Sequence, residues 1–256
     1  LLRFLKYHLV TLISGGINYI ILLSLTKVNI NYFIANLVGI GIGMVIILLL
    51  IITGLLINKR YFSMQNNSVP NLFDKQNLRW QILPVIGFVL LLIIVWHFDL
   101  NVHLFYEINH ISGFTGTEIW QIFTLFGDGM ISALLLVFWI KKKPQIAWSF
   151  LLASVIYLVV LNFLKDYFDL KRPPALLEPE TFFIAGKAYM KRSFPSGHTT
   201  TIFALCGVVS FYYKSNKIRT IALLAAILVG FSRVLIGVHW PADVFGGAIL
   251  GWLSAG

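Results

Sequence analysis

Apolar residues run along this chain in long blocks, and eight of these approach the roughly 20 residues a helix needs to cross a bilayer. They cover 8–26, 33–57, 81–98, 119–140, 145–164, 199–213, 218–236 and 244–256. The second holds 25 residues without a charge. The pattern predicts an all-α polytopic membrane helix bundle. No small-residue cleavage site follows the first block, which therefore reads as a retained helix rather than a signal peptide. The last block is short and stops at Gly256 without a polar flank, the pattern of a chain cut within a helix. The polar stretch 58–79 is the best internal boundary. It predicts a two-helix membrane segment over 1–64, a cytoplasmic linker over 65–80 and a six-helix domain over 81–256. No internal repeat or low-complexity tract interrupts this plan.

Composition supports the membrane reading. The 256 residues are 58% apolar and only 12% charged, where a soluble domain carries about 25% charged residues. The 20 Lys and Arg outnumber the 10 Asp and Glu. No basic helix or aromatic-basic platform accompanies that surplus, so the expected partners are lipid headgroups and anionic substrates, not nucleic acid. Cys206 is the single cysteine, which excludes an intramolecular disulfide and a Cys-rich metal site. Cytoplasmic loops are enriched in Lys and Arg. With the N-terminus inside and eight alternating helices, twelve of the twenty basic residues fall on inside segments, with Asp74 as the acid beside them. Six of the eight outside cations lie in one loop, 165–198. That loop needs a reason other than topology.

Three stretches supply one, and the topology places all three on the outer face. They are Lys165–Pro173, Phe194-Pro195-Ser196-Gly197-His198, and Ser232–Asp243. Lys165, Arg172 and Arg233 offer three cations, and Arg binds phosphate oxygens bidentately. Ser196 and Gly197 precede an apolar helix, whose N-terminal N–H groups favour an anion. Pro241 suits the first position of the last helix. Asp243 then lies in the first turn, able to reach back to an imidazole nitrogen of His239. A His oriented by a carboxylate can act as nucleophile or general base, and His198 is a second imidazole able to protonate a leaving oxygen.

The pattern Lys-x6-Arg-Pro, Pro-Ser-Gly-His, Ser-Arg-x5-His-x3-Asp resembles the three-part signature of the type 2 phosphatidic acid phosphatase superfamily. The resemblance covers roughly 78–256 and fills every signature position. It implies a metal-independent, cofactor-free lipid phosphatase. His239 would attack phosphorus to form a phosphohistidine, with Asp243 orienting it. His198 would protonate the leaving group, and Lys165, Arg172, Ser196, Gly197 and Arg233 would hold the phosphoryl oxygens. The expected substrate is a phosphomonoester or diphosphate of a lipid: polyprenyl diphosphate, phosphatidate-type or lipid A. The expected location is a bacterial inner membrane, with the site facing the periplasm or exterior. Two rivals remain at this point. One is a phosphotransferase of the same superfamily, passing the phosphoryl group to another lipid or sugar. The other is a non-catalytic carrier-lipid binder or flippase partner. The sequence does not fix the oligomeric state.

Other polar residues carry weaker signals. His103, Glu107 and His110 have helical spacing but too few ligands for a convincing metal site. Asp128, between two glycines within a predicted span, is open to a structural or a functional reading. Arg219 reads as a cytoplasmic flank, and Lys187, Lys191 and Arg192 are placed to steer anionic headgroups. Cys206 reads as a helix-packing residue. Gly39 and Gly43 form a Gly-x3-Gly packing pair. Phe4–Tyr7, Ser14–Tyr19, Ala35–Gly39 and Asn58–Phe62 resemble the first half of GtrA-like membrane proteins, which are linked to polyprenyl-phosphate sugar carriers. That similarity tilts the substrate expectation toward polyprenyl lipids.

Overall fold

The computed structural model describes residues 75–255. The expected spans 8–26 and 33–57, the segment 1–64, the Gly39/Gly43 pair and most of the linker lie outside the described residues. The rest is helical, with no strand among the described residues: α1 (Lys75–His97), α2 (Asn101–Asn109), α3 (Ile111–Thr115), α4 (Glu118–Leu125), α5 (Gly129–Leu135), α6 (Val137–Ile140), α7 (Pro144–Phe168), α8 (Gly197–Tyr212), α9 (Asn216–Leu235) and α10 (Pro241–Leu253). Two 3₁₀ turns, Pro173–Ala175 and Pro179–Thr181, lie in the long loop after α7.

Each apolar block after residue 80 corresponds to helix. Among the described residues, Lys75–His97, Pro144–Ala175 and Asn216–Leu235 are long and apolar enough to cross a membrane. Their outward side chains suit a hydrocarbon solvent, since Leu83, Leu90, Ile93, Val159, Phe163 and Leu224 are all exposed. The segments α8 and α10 are shorter, at 16 and 13 residues, or about 24 and 20 Å of helix at 1.5 Å per residue. They occupy the middle of the bundle. Every residue from Thr199 to Val208 is buried, and Trp252 and Phe203 meet edge-on in the main core cluster, which also holds Cys206.

The single span expected over 119–140 is instead broken. Its halves, α4 and α5–α6, are bent by 61°. The physical cause is local, because Asp128 takes an extended conformation and its carboxylate caps α5, accepting from Met130 N at 2.8 Å and Ile131 N at 3.3 Å. This gives Asp128 a structural role.

Arg219 also departs from expectation. It is fully buried rather than a flank, because the ends of α1, α8 and α9 converge on it. Its Nε donates to the carbonyls of Ser210 (3.0 Å) and Tyr213 (2.7 Å), Nη1 reaches Gln76 O, and Nη2 donates to Asn77 Oδ1. Carbonyls at a helix C-terminus lack intrahelical donors, and the guanidinium supplies them. This clamp lies at the end of α9 opposite Arg233.

Candidate active site

The three sequence stretches meet at one end of the bundle because helix ends alternate: the C-terminus of α7, the N-terminus of α8, the C-terminus of α9 and the N-terminus of α10. Two local devices bring them together. At Gly237, φ is +75°, a conformation favouring glycine. The turn there folds the chain back so that Val238 N and His239 N both donate to Arg233 O, at 3.2 and 3.3 Å. The five residues between Arg233 and His239 are thus one tight reversal. The second device is close approach of α8 and α10. A Cβ on Gly247 would stand 2.6 Å from Ser196 O, so only glycine allows the contact in which Ser196 N donates to Asp243 O at 2.9 Å.

His239 and Asp243 form a buried pair. Nδ1 lies 3.0 Å from Asp243 Oδ2, and the imidazole is 2% exposed. The same oxygen accepts from Trp240 N at 2.9 Å and from the Ser193 hydroxyl. Burial pushes the Asp243 carboxyl up to about 6, against the pull of these two donors, so it is still ionised at pH 7. A carboxylate only accepts, so Nδ1 carries the hydrogen and Nε2 keeps its lone pair. Burial, reinforced by the cations Arg172, Arg233 and Lys165 and by His198, holds the His239 imidazole well below its ordinary value of 6.5. The ring is neutral at pH 7.

That shift predicts a pH dependence of stability. Unfolded His239 gains a proton below about pH 6.5, while the folded residue does not. Its contribution is therefore fully present above that pH and is lost as pH falls, by at most about 1.4 kcal/mol per pH unit. Thermal unfolding of the detergent-solubilised protein should show the loss setting in as pH falls below about 6.5. His239→Gln should flatten the slope; equal slopes in the two proteins would contradict the assignment.

The cations surround this pair. Lys165 Nζ donates to Arg192 O at 2.8 Å. Arg172 donates through Nε to Lys191 O (3.1 Å), through Nη1 to Val238 O (3.3 Å) and through Nη2 to Arg192 O (3.4 Å). Arg192 has φ +55°, and its carbonyl serves both cations. Arg233 is the most telling of the three. It is 8% exposed, and Nη1 donates to Thr124 Oγ1 at 2.6 Å, yet its buried Nε has no hydrogen-bond partner. Arg233 and His198 line a cavity of about 500 Å³ whose other walls come from α4, the 185–189 loop, and Ile236 and Val238 in the turn after α9. An arginine on a cavity wall whose donors are not all used by the protein is a place for an anion.

Some expected contributors are placed differently from the simplest reading. Ser196 is the N-cap residue of α8, but its N–H is committed to Asp243 and its Oγ accepts from Thr199 Oγ1 at 2.9 Å. The first-turn N–H groups of Gly197 and His198 are the donors the helix end has to offer. Arg192 pairs with Asp166 at 3.0 Å, so it ties the loop to α7. The described residues bring no three His, Cys, Asp or Glu side chains together as a metal group, His103, Glu107 and His110 included.

Several contributors escape motif reading. Thr124 receives Arg233, and Ser193 holds Asp243. Asn109 Nδ2 donates to the carbonyls of Phe183 (2.8 Å), Val234 (3.2 Å) and Leu235 (3.0 Å), and Ser112 Oγ donates to Leu235 O at 2.7 Å. Asn101 Oδ1 accepts from Ala242 N at 3.0 Å. A polar residue inside an apolar block was the available signal for Thr124; nothing in the pattern distinguished Asn109.

An apolar helical bundle with buried imidazoles, a carboxylate and converging cations at one end defines an integral membrane protein with a polycationic site. Comparison with known proteins narrows this. A family model described as the PAP2 superfamily matches residues 129–256. An undecaprenyl-diphosphatase of Sulfolobus acidocaldarius is 32% identical over 167 residues, covering 60% of this chain and 75% of that protein. A lipid A 1-phosphatase of Rhizobium johnstonii is 31% identical over 156 residues, covering 56% of this chain and 62% of the relative. The crystal structure of Aquifex aeolicus LpxE superposes with a TM-score of 0.57 at 32% identity, covering 61% of this chain and 92% of that one. The chain belongs to the PAP2 superfamily and is a lipid phosphatase of that family.

Proposed function

We propose that the chain hydrolyses a phosphomonoester or diphosphate of a membrane lipid through a phosphohistidine on His239, at the outer face of the membrane. The observation that carries this reading is the His239–Asp243 pair, buried beside an arginine whose Nε lacks a partner. Arg233, Arg172 and Lys165, with the first-turn N–H groups of α8, hold the phosphoryl oxygens and neutralise the charge that develops on them. His239 Nε2 attacks phosphorus, and the bond from phosphorus to the leaving oxygen breaks. His198 gives that oxygen its proton. Water then enters, transferring a proton to His198 as its oxygen bonds to phosphorus and the P–N bond breaks. Lipid product and inorganic phosphate leave, and both imidazoles are restored. Asp243 keeps Nδ1 protonated throughout, fixing the tautomer that exposes the Nε2 lone pair.

The outer-face assignment is supported by the charge bias of the loops, and the lipid tail stays in the bilayer while its phosphate enters the cavity. The test is phosphate release by purified protein in detergent with EDTA present, from undecaprenyl diphosphate, undecaprenyl phosphate, phosphatidate, phosphatidylglycerol phosphate and lipid A. Release that survives EDTA is expected. A phosphorylated acceptor lipid in place of free phosphate would assign a phosphotransferase, and no turnover of any lipid by folded protein would overturn the enzymatic reading.

A further inference from the structure

The cavity at Arg233 and His198 is ligand-sized at about 500 Å³, larger than a single phosphoryl group needs. Besides Arg233, the lining carries a single further lysine or arginine, Lys187, from the long loop after α7. Its position is braced. Lys187 Nζ lies 5.1 Å from the centroid of the Tyr189 ring, and the same ring has the Arg172 guanidinium carbon 5.3 Å from its centroid. Both separations are within cation–π range. One aromatic ring thus couples Arg172 of the phosphoryl cradle to a second positive group, which lines the cavity together with Arg233. Helix α4 contributes Glu118 and Gln121 to the lining. The Glu118 carboxylate disfavours an anion beside it, which leaves Lys187 as the further lining group that attracts negative charge.

We propose that Lys187, braced on Tyr189, binds a second phosphate, making this a site for lipid diphosphates: the terminal phosphoryl at Arg233 and the inner phosphate at Lys187. The inference rests on the reading of the cavity as a lipid-phosphate hydrolase site and names its substrate class. In the reaction, His239 Nε2 bonds to the terminal phosphorus and the bond from that phosphorus to the bridging oxygen breaks. The bridging oxygen keeps the electron pair and departs as part of the lipid monophosphate. Negative charge therefore builds on a phosphate beside Lys187, so its ammonium stabilises the transition state as well as the bound substrate. A monophosphate substrate has no group for Lys187 to meet.

The experiment compares kcat/KM for undecaprenyl diphosphate and undecaprenyl phosphate in the same detergent, using wild-type protein, Lys187→Gln and Lys187→Arg. Lys187→Gln should lower kcat/KM for the diphosphate by about 10- to 100-fold, the scale of one charge-assisted phosphate contact. It should change the monophosphate by no more than about 2-fold, because the cradle itself is intact. Lys187→Arg should retain most of the diphosphate activity. Glu118→Gln should lower KM for the diphosphate selectively. Lys187 is exposed, and an unchanged melting temperature would show that the variant folds. Equal losses on both lipids, no loss on either, or a wild-type protein that cleaves only the monophosphate would overturn the second-phosphate site. A wild-type protein that releases phosphate from phosphatidate or lipid A but not from the diphosphate would likewise overturn it, whereas no release from any of these lipids by folded protein would instead sink the hydrolase reading on which it stands.

Discussion

Replacing His239 with alanine should abolish phosphate release, lowering kcat by at least about 10⁴-fold, as loss of a covalent nucleophile does elsewhere. The argument is geometric. No other imidazole is buried against a carboxylate among the described residues, with Nδ1 held at 3.0 Å and Nε2 left to act as a base or nucleophile. Water can still enter the cavity of the variant, and the cations can still hold a phosphate, so binding should survive. Vanadate or phosphate protection against thermal unfolding should therefore persist in His239→Ala while turnover vanishes. Asp243→Ala tests the second half of the pair. It removes the acceptor that fixes the tautomer, and its effect should approach that of the nucleophile variant, with a loss of about 10³- to 10⁴-fold. A His239→Ala protein with more than about one-hundredth of wild-type activity would place the chemistry on another residue.

The second large effect lies at the other end of the bundle. Arg219→Met should destabilise the protein in detergent by about 3 kcal/mol, because it strips donors from buried carbonyls of Ser210 and Tyr213 and from Asn77 Oδ1. Each buried acceptor left without a donor costs about 1–3 kcal/mol. Arg219→Lys should recover only part of this, since one ammonium does not reproduce the planar fork. The activity of the folded fraction should keep its KM and pH profile, because the clamp joins α1, α8 and α9 far along the helices from the His239 pair. An unchanged melting temperature in Arg219→Met would contradict the clamp.

Much of this was legible from residue pattern alone. The apolar blocks located the helices after residue 80 because lipid solvation selects for continuous apolar runs. Spacing alone placed Asp243 within reach of His239, since a proline at the first helical position puts the third residue over the preceding turn. What the pattern could not show is how helices meet. The kink at Asp128 lies inside an apolar block and depends on a side-chain cap rather than on hydropathy. Arg219 reads as a flank because its partners are carbonyls from residues 9 and 6 positions earlier and side chains far away in sequence. Thr124 and Asn109 belong to the site's support only because α4 and α2 pack on the end of α9. Likewise, the loop cations looked alike in sequence, but they separate in space: Arg192 is paired with Asp166, whereas Lys187 faces the cavity.

The account's central claim is a covalent phosphoryl group on His239, and the direct measurement is to trap it. Purified protein would be mixed with a lipid diphosphate or monophosphate, quenched at alkaline pH where a P–N bond survives, digested and read by peptide mass spectrometry. The account predicts one acid-labile phosphoryl group on the peptide carrying His239, present only with substrate and absent from His239→Ala. Turnover with no phosphorylated His239 at any quench time, or a phosphoryl group on His198 instead, would contradict it.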